Sequence, residues 1–354
     1  MMLSKRVPPV WSSLIAIMLV GVGGGLARAD VIDDIIAQVS HDNYVHYLED
    51  LLYTHYGDSK GLPPWDGEHD LCRDNIFDLF EFYGLDPFLH PFDYEGTTYH
   101  NVVAVKEGVT HPDDIFVCGA HFDTVDQSPG ADDNASGVAA VLEAARILSQ
   151  YDFASTIIFV AFDREEQYMI GSQAFVADYY DQNILGAICL DMIAYNSTGN
   201  DELLVRAWRV DSPFHNFVFD TMDTYSGLNV IKTYGGYSDH WSFGVAKIDD
   251  CGLHEMDENP YYHSPDDTVD LPGYLDYDFA IKTTRGFVAA LALLAEVIDP
   301  ADINGDGVVD VLDLIQLLGE WGPCPPPPAD CPADVNFDGT VDVLDLLALL
   351  AAWS

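Results

Sequence analysis

Basic residues are scarce in this chain: 14 Lys and Arg stand against 59 Asp and Glu in 354 residues, a formal charge of −45. So acidic a molecule repels phosphate backbones and anionic headgroups, which argues against a nucleic-acid partner or an anionic membrane surface. Long uncharged apolar runs are missing beyond residue 29, so no later stretch suits a bilayer span. Neither a G-x-S-x-G elbow nor another nucleophile context appears, and serine catalysis has no foothold. Cysteines number only six. Cys118 and Cys189 lie in apolar strand-like runs and read as buried thiols. Cys324 and Cys331 bracket a proline run and are the best candidates for a bridge, while Cys72 and Cys251 stay undecided.

What is present begins with an address. Lys5 and Arg6 precede an apolar run from about Val10 to Leu26, and Ala27-Arg28-Ala29 has the small-x-small form of a cleavage site. Residues 1–29 therefore read as a secretory signal peptide, with a product released from the cell or held outside it by a partner. Loss of Lys5, Arg6 and Arg28 with that segment removes three cations and takes the formal charge from −45 to −48. The 49% apolar content allows one sizeable core plus a small appendage. The expected organisation is a main domain over 30–299 and a module over 300–354.

From Val31 to about Asp86 helical spacing dominates, so residues 30–100 are expected to pack largely as helices on a sheet. Strand-like and helix-like runs then alternate: NVVAV, DIFVCGAH, the helix after Asn134, TIIFVAFD, the GSQAFVADYY helix, ILGAICLD, ELLVRAW, the SPFHNFVFDTMDTYSG helix, AKIDDCGLHE, and a long helix around FAIKTTRGFVAALALLAEVI. Continuously apolar strands alternating with helices predict an α/β fold, a mostly parallel sheet covered on both faces. In such sheets the working groups sit at the carboxyl ends of the strands.

The chain is organised around GAHFDTVDQSPGADDNASG, Gly119 to Gly137, which gathers a histidine and several carboxylates where a strand hands over to a helix. That is what a divalent metal site needs. DIFVCGAH ends in His121, with Asp123 two residues on. TIIFVAFD ends in Asp163-Arg164-Glu165-Glu166, and ILGAICLD ends in Asp191. A fourth donor, His263, follows in the NPYYHSPDDT loop.

These motifs, in order and approximate spacing, resemble the co-catalytic zinc exopeptidases of the bacterial leucyl aminopeptidase type (clan MH). That group includes glutamate carboxypeptidases, glutaminyl cyclases and the non-catalytic transferrin receptor domain. The resemblance covers most of residues 31–299 and implies a three-layer α/β/α fold with a mixed, mostly parallel sheet. It implies two zinc ions: His121 and Asp191 on one, Glu166 and His263 on the other, Asp133 bridging. Glu165 would be the general base to an activated water, and Asp123 would accept a hydrogen bond from His121 and fix its tautomer. Substrates would be peptides with a free N-terminus. Tyr234 and Tyr237 are candidate oxyanion donors, and Asp239 and His240 are expected to support the site rather than ligate. The other histidines, among them His41, His46, His55, His90 and His111, are expected at the surface. Three alternatives remain within the resemblance: a glutaminyl cyclase, a carboxypeptidase with Arg164, Arg206 or Arg209 as its clamp, or an inactive scaffold.

The last fifty or so residues carry a repeat. Asp302, Asn304, Asp306, Asp310 and Asp313 recur 32 residues later as Asp334, Asn336, Asp338, Asp342 and Asp345, each set followed by a leucine-rich helix. Oxygens at loop positions 1, 3, 5, 9 and 12, a glycine at 6 and a main-chain carbonyl at 7, here Val308 and Thr340, form a calcium cage. Aspartate at position 12 makes the pair similar to dockerin-type repeats. The resemblance implies a small α-helical module holding two Ca2+ and docking to a cohesin-like or cell-surface scaffold. So small a module needs its metal to fold.

Overall fold

A computed structural model of the chain describes residues 24–52, 68–305, 308–326, 331–336 and 338–353. Two compact units emerge, one spanning Ile32–Ile298 and the other containing Asp299–Ser354. The expected signal segment lies outside the described residues except for its last six, which begin a helix. Among the described residues no helix is long and apolar enough to cross a membrane.

The larger unit is built on an eight-stranded sheet. Its strands are β1 (Phe88–Tyr94), β2 (Thr97–Lys106), β3 (His111–His121), β4 (Ser155–Phe162), β5 (Asn183–Leu190), β6 (Glu202–Ala207), β7 (Asn229–Tyr234) and β8 (Asp250–Glu255), in the spatial order β1-β2-β4-β3-β5-β8-β6-β7. Pairs β4–β3, β3–β5, β5–β8 and β6–β7 are parallel, while β1–β2, β2–β4 and β6–β8 are antiparallel. The expected mixed, mostly parallel α/β architecture is therefore observed. β4 is buried at every position, as a strand covered on both faces must be, and this is why it reads as an unbroken apolar run.

The helices are α1 (Gly24–Ala37), α2 (His41–His46) continued by a π-helical turn Tyr47–Leu52, α3 (Glu68–Phe82), α4 (Ala135–Leu148), α5 (Ile170–Asp178), α6 (Pro213–Tyr225), α7 (His240–Val245) and α8 (Tyr277–Leu294). α4 packs on α2, α3 and α8, and α8 on α6. Separately, α5 and α7 pack on each other. Phe175 and Val176 of α5 and Phe243 of α7 meet Val117, Val160 and Cys189 in one apolar cluster.

Start signals explain several helix ends. Ser212 caps α6, with Pro213 in its first turn, and Asp276 accepts from the Phe279 amide at 3.0 Å to cap α8. The helical period read across residues 31–52 is broken where Ser40 caps α2. Two strands had no clear sequence signal. β1 contains Pro91 and β7 is mostly half-exposed, as befits the two edges of the sheet.

In the smaller unit, α9 (Val311–Gly319) and α10 (Val343–Ala351) accompany a two-stranded ribbon of β9 (Gly322–Pro323) and β10 (Thr340–Val341). Its core pairs residues 32 apart: Ala301 with Ala333, Val309 with Val341, Leu317 with Leu349. Cys324 and Cys331 form the expected disulfide, with Cα atoms 5.7 Å apart. Cys72, Cys118, Cys189 and Cys251 are buried free thiols.

Candidate metal centre

β4, β3 and β5 lie side by side and parallel, so their carboxyl ends open on one rim. His121 is the last residue of β3, and Asp191 follows β5 directly. Asp133 arrives from the loop that leads into α4. Asp267 fixes that loop: its carboxylate accepts the Asp132 amide at 2.8 Å and the Asp133 amide at 3.2 Å. Asn134 ties the same turn to β5, accepting from Gly137 N–H (3.0 Å) and Met192 N–H (3.3 Å) while donating to the Leu190 carbonyl (2.8 Å). Behind β4, Asn101 accepts from Asp163 N–H and donates to the Gly171 carbonyl, both at 2.9 Å. A Cβ on Gly171 would stand 2.1 Å from the Asp163 carbonyl oxygen, so only glycine lets α5 start this close to the strand end.

The donor atoms converge. His121 Nε2 lies 3.4 Å from Asp133 Oδ1 and 3.5 Å from Asp191 Oδ1. His263 Nε2 lies 3.2 Å from Asp133 Oδ2 and 3.0 Å from Glu166 Oε2. Asp133 thus offers one oxygen to each histidine. A tetrahedral zinc ion with bonds of roughly 2.0–2.1 Å sets its ligand atoms about 3.3 Å apart, so the spacings and the imidazole–carboxylate chemistry both fit that ion. Glu165 also comes within reach of His121 and Glu166.

The electrostatics describe a cluster that demands positive charge. Burial opposes charging His121, yet Asp123, Asp133 and Asp191 push its imidazole well above the usual range. Burial likewise opposes charge on His263, but Asp133 and Glu166 raise it to about 10. Asp133, buried, is nonetheless held far below the ordinary carboxylate range by the two imidazoles. Burial and the neighbouring Asp133 push Glu166 up to about 8. Burial drives Glu165 well above the carboxylate range as well.

Asp123 differs from expectation in one contact. Nδ1 of His121 bonds the main-chain carbonyl of Asp123 at 3.1 Å, while the Asp123 carboxylate stands 3.6 Å away. That carboxylate instead accepts the amides of Glu165 (3.0 Å) and Glu166 (3.3 Å). A two-residue step along an extended chain brings the main-chain oxygen nearer the ring than the side chain, and frees the acid to hold the neighbouring strand end. The tautomer is still set at Nδ1, by a carbonyl rather than a carboxylate.

A cavity of about 260 Å³ opens on the centre, lined on one side by Asp133, Glu165, Glu166 and Asp191. Tyr237 also lines it; Tyr234 does not, and packs near Trp208 instead. Tyr262 is a further phenol at the cavity, stacked on the His263 ring at 3.7 Å between centroids. Sequence inspection passed over it because it belongs to a tyrosine pair beside the ligand. His240 is buried, lines the cavity and bonds the Gly235 carbonyl at 3.2 Å; burial lowers it to about 4, so it is neutral. Burial raises Asp239 to about 7.

Other histidines follow the surface expectation at His41, His46 and His111, which are exposed. His55 lies outside the described residues. His90 is a correction: it is buried, held between Asp178 and Asn101 at 3.1 Å each, because edge strand β1 turns this position towards α5. His69, without any sequence signal, is buried against Asp163 at 2.9 Å, and Asp163 in turn takes the Arg164 guanidinium at 2.8 Å.

In the smaller unit the second loop is described at all six expected positions. Asp334 accepts from Asp338 N–H (3.1 Å) and Gly339 N–H (2.8 Å), Asn336 from Asp338 N–H (2.9 Å), and Asp338 from Thr340 N–H (3.0 Å). Asp345 spans the loop, accepting from Asn336 and Asp342, and Asp342 caps α10. In the first loop Asp313 does the same with Asn304 and Asp310, and Asp310 caps α9. Asp302 and Val308 hold the equivalent places; Asp306 lies outside the described residues. The donor set is all oxygen, which suits a hard cation such as calcium.

Two imidazole–carboxylate sets sharing one acid at the carboxyl rim of a mixed sheet define a metallopeptidase-type centre. The chain belongs to peptidase family M28, whose pattern matches residues 101–288, and residues 300–352 match the dockerin type I domain. It is similar to aminopeptidase YwaD of Bacillus subtilis, 32% identical over 191 residues that make up 50% of this chain and 41% of that one. A probable leucine aminopeptidase 1 of Trichophyton verrucosum is 32% identical over 223 residues, 54% of this chain and 58% of that one. The chain thus spans about half the length of these curated relatives. Among solved structures, LapA aminopeptidase of Legionella pneumophila shares the fold, with a TM-score of 0.67 and 22% identity over 84% of this chain and 81% of that one. BSAP, a zinc aminopeptidase from Bacillus subtilis, superposes with a TM-score of 0.51 and 27% identity over 58% of this chain and 51% of that one.

Proposed function

We propose that this chain is a secreted zinc aminopeptidase that removes N-terminal residues from peptides and carries a calcium-folded docking module. The observation that carries the reading is Asp133, whose two oxygens face His121 Nε2 at 3.4 Å and His263 Nε2 at 3.2 Å. One acid is shared by two donor sets, His121–Asp133–Asp191 and Asp133–Glu166–His263. The zinc aminopeptidase among the structural relatives and the aminopeptidases among the curated ones support the same reading.

Zinc, if held by His121, Asp133, Asp191, Glu166 and His263, would supply the Lewis acidity that acidifies a water and polarises a carbonyl. Glu165 takes the water proton and returns it to the departing amine. Burial raises the basicity of Glu165, and the Asp123 carboxylate pins its amide in place. Tyr237 and Tyr262 line the cavity and are the candidate donors to the developing oxyanion. No covalent intermediate is needed.

The docking role rests on the smaller unit. Leu312, Ile315 and Leu318 of α9 and their counterparts Leu344, Leu347 and Leu350 of α10 stand exposed, two matching apolar stripes on the duplicated helices. A cohesin-like receptor or cell-surface scaffold is the partner they suit. Export rests on the segment 1–29.

The test is a panel of aminoacyl anilides with the zinc-loaded protein, each compared with its N-acetylated form. Hydrolysis of free-amine substrates alone is expected. Equal rates on blocked substrates contradict the aminopeptidase reading, and no turnover of either points to a non-catalytic scaffold.

A further inference from the structure

Arg206 is the cation of the metal-centre cavity. It is the fifth residue of β6, opposite Gly252 of β8, which pairs in turn with Cys189 of β5. Asp191 lies two residues beyond Cys189, so Arg206 sits below the rim by about 7 Å at the strand rise. The cavity is thus lined by the metal-ligand candidates at the rim and by Arg206, whose main chain lies level with Gly252 further down the sheet.

In a chain this acidic, cations find partners. Arg73, Lys106, Arg146, Arg164, Arg209 and Lys282 each hold a carboxylate within 3.1 Å. Among the described residues Arg206 makes neither an ion pair nor a hydrogen bond. Lys247 and Arg285 also lack a carboxylate, but both stand exposed, whereas Arg206 is half-buried. Room for it has been made: a Cβ on Gly236 would lie 2.7 Å from Arg206 Cδ and 2.9 Å from Nη1. The two carboxyls that act on it do not neutralise it, since Asp191 belongs to the donor set and Glu255, buried beside Asp132, is pushed far above the carboxylate range. A half-buried guanidinium left without a partner in a ligand cavity is a recognition group for a carboxylate.

Which carboxylate follows from the direction of the cavity. An aminopeptidase must let the remainder of its substrate leave towards solvent, so the inner end of the cavity receives the side chain of the first residue. At about 260 Å³ the space is below the usual range for whole-ligand pockets and suits a single residue. We infer that Arg206 selects substrates whose N-terminal residue is glutamate or aspartate. This inference rests on the aminopeptidase reading and deepens it.

The test compares kcat/KM for the p-nitroanilides of Glu and Gln, and of Asp and Asn, on the zinc-loaded full chain, together with the dipeptide Leu-Ala and its amide. Each pair differs by one charge. The expected result favours Glu over Gln by roughly tenfold to a hundredfold, the range of a charge-assisted pair over a neutral one, and Arg206→Gln brings that ratio to within about threefold of one. Arg206→Lys, which keeps charge without the planar fork, retains part of it and serves if the Gln variant does not fold. A wild-type ratio near one overturns the inference, as does a ratio that survives Arg206→Gln. Preference for Leu-Ala over its amide with no Glu preference also overturns it, assigning Arg206 to the terminal carboxylate. If no free-amine anilide is turned over, the aminopeptidase reading itself has failed. Calorimetric titration with L-glutamate and L-glutamine then decides Arg206 separately: tenfold tighter glutamate in the wild type, lost in Arg206→Gln, upholds carboxylate selection, and equal affinities refute it.

Discussion

At the scale of single residues, the proposed chemistry assigns two adjacent acids different work. Glu166 faces His263 at 3.0 Å, while Glu165 lines the cavity and approaches the centre from the side of His121. Successive residues leaving a strand diverge, so one can ligate while its neighbour moves a proton. Glu165→Gln is expected to keep both zinc ions, by metal analysis, and to lower kcat by at least about a thousandfold, within the range for a lost general base. Loss of zinc in that variant reassigns Glu165 to the ligand set. The donors themselves were legible in the sequence, because His121, the acids after β4 and Asp191 close continuous apolar runs. Their supports were not. Asp267 holds the Asp132 and Asp133 amides from 135 and 134 residues away, and His69 stands behind Asp163 from 94; single-sequence spacing carries no record of contacts at that distance. The same holds for the hydrogen bond of His121: the residue pair was readable, but whether the carbonyl or the carboxylate of Asp123 accepts depends on backbone geometry.

At the scale of elements, the turn from the site into α4 carries the most linkage. Asn134 caps the helix and also holds the Leu190 carbonyl and the Met192 amide, so one side chain joins α4 to the end of β5. Asn134→Ala removes a cap and orphans buried groups, a loss of about 2 kcal/mol; we expect Tm to fall by about 4–8 °C and hydrolysis to weaken with it, because Asp133 and Asp191 flank the lost bonds. Unchanged Tm contradicts the role given to this side chain.

At the start of β8, Asp250 is buried, accepts the Trp208 amide at 3.0 Å, and is pushed by burial to about 7. A carboxyl raised in the fold binds more protons there than in the unfolded chain. Its contribution therefore favours the fold below the unfolded value near 3.8 and is lost as pH rises towards 7. Asp250→Asn keeps an acceptor for Trp208 without the charge, and its Tm advantage over the wild type should grow from pH 5 to pH 8. An advantage that shrinks over that range reverses the sign argued here. Strand identities were readable where burial is two-sided, as in β4. Edge strands β1 and β7 escaped because a sheet edge needs no unbroken apolar run.

On the scale of the whole molecule, two compact units present two different sets of donor groups. Imidazole and carboxylate donors at the sheet rim suit zinc, and the oxygen-only loops of the duplicated module suit calcium. The module's core rests on one small cluster, Ala301, Val309, Leu317 and their repeats, too little to fold unaided. In buffer that contains zinc but no calcium, residues 301–354 should lose hydrogen-exchange protection while turnover of a leucyl anilide stays within about twofold, since the Ile32–Ile298 unit has its own core. Protection that persists without calcium contradicts the cage reading. The duplication was visible in the sequence because every oxygen recurs at the same offset, whereas the disulfide partners could only be nominated until the loop between the repeats placed Cys324 and Cys331 5.7 Å apart.

The central claim is that one carboxylate is shared by two cations, and Asp133 is where it can be tested directly. Metal analysis after equilibrium dialysis should find two zinc ions per chain in the wild type, and one or none at the same free zinc in Asp133→Asn, with hydrolysis lost in parallel. An Asp133→Asn protein that still holds two zinc ions at wild-type affinity contradicts the account.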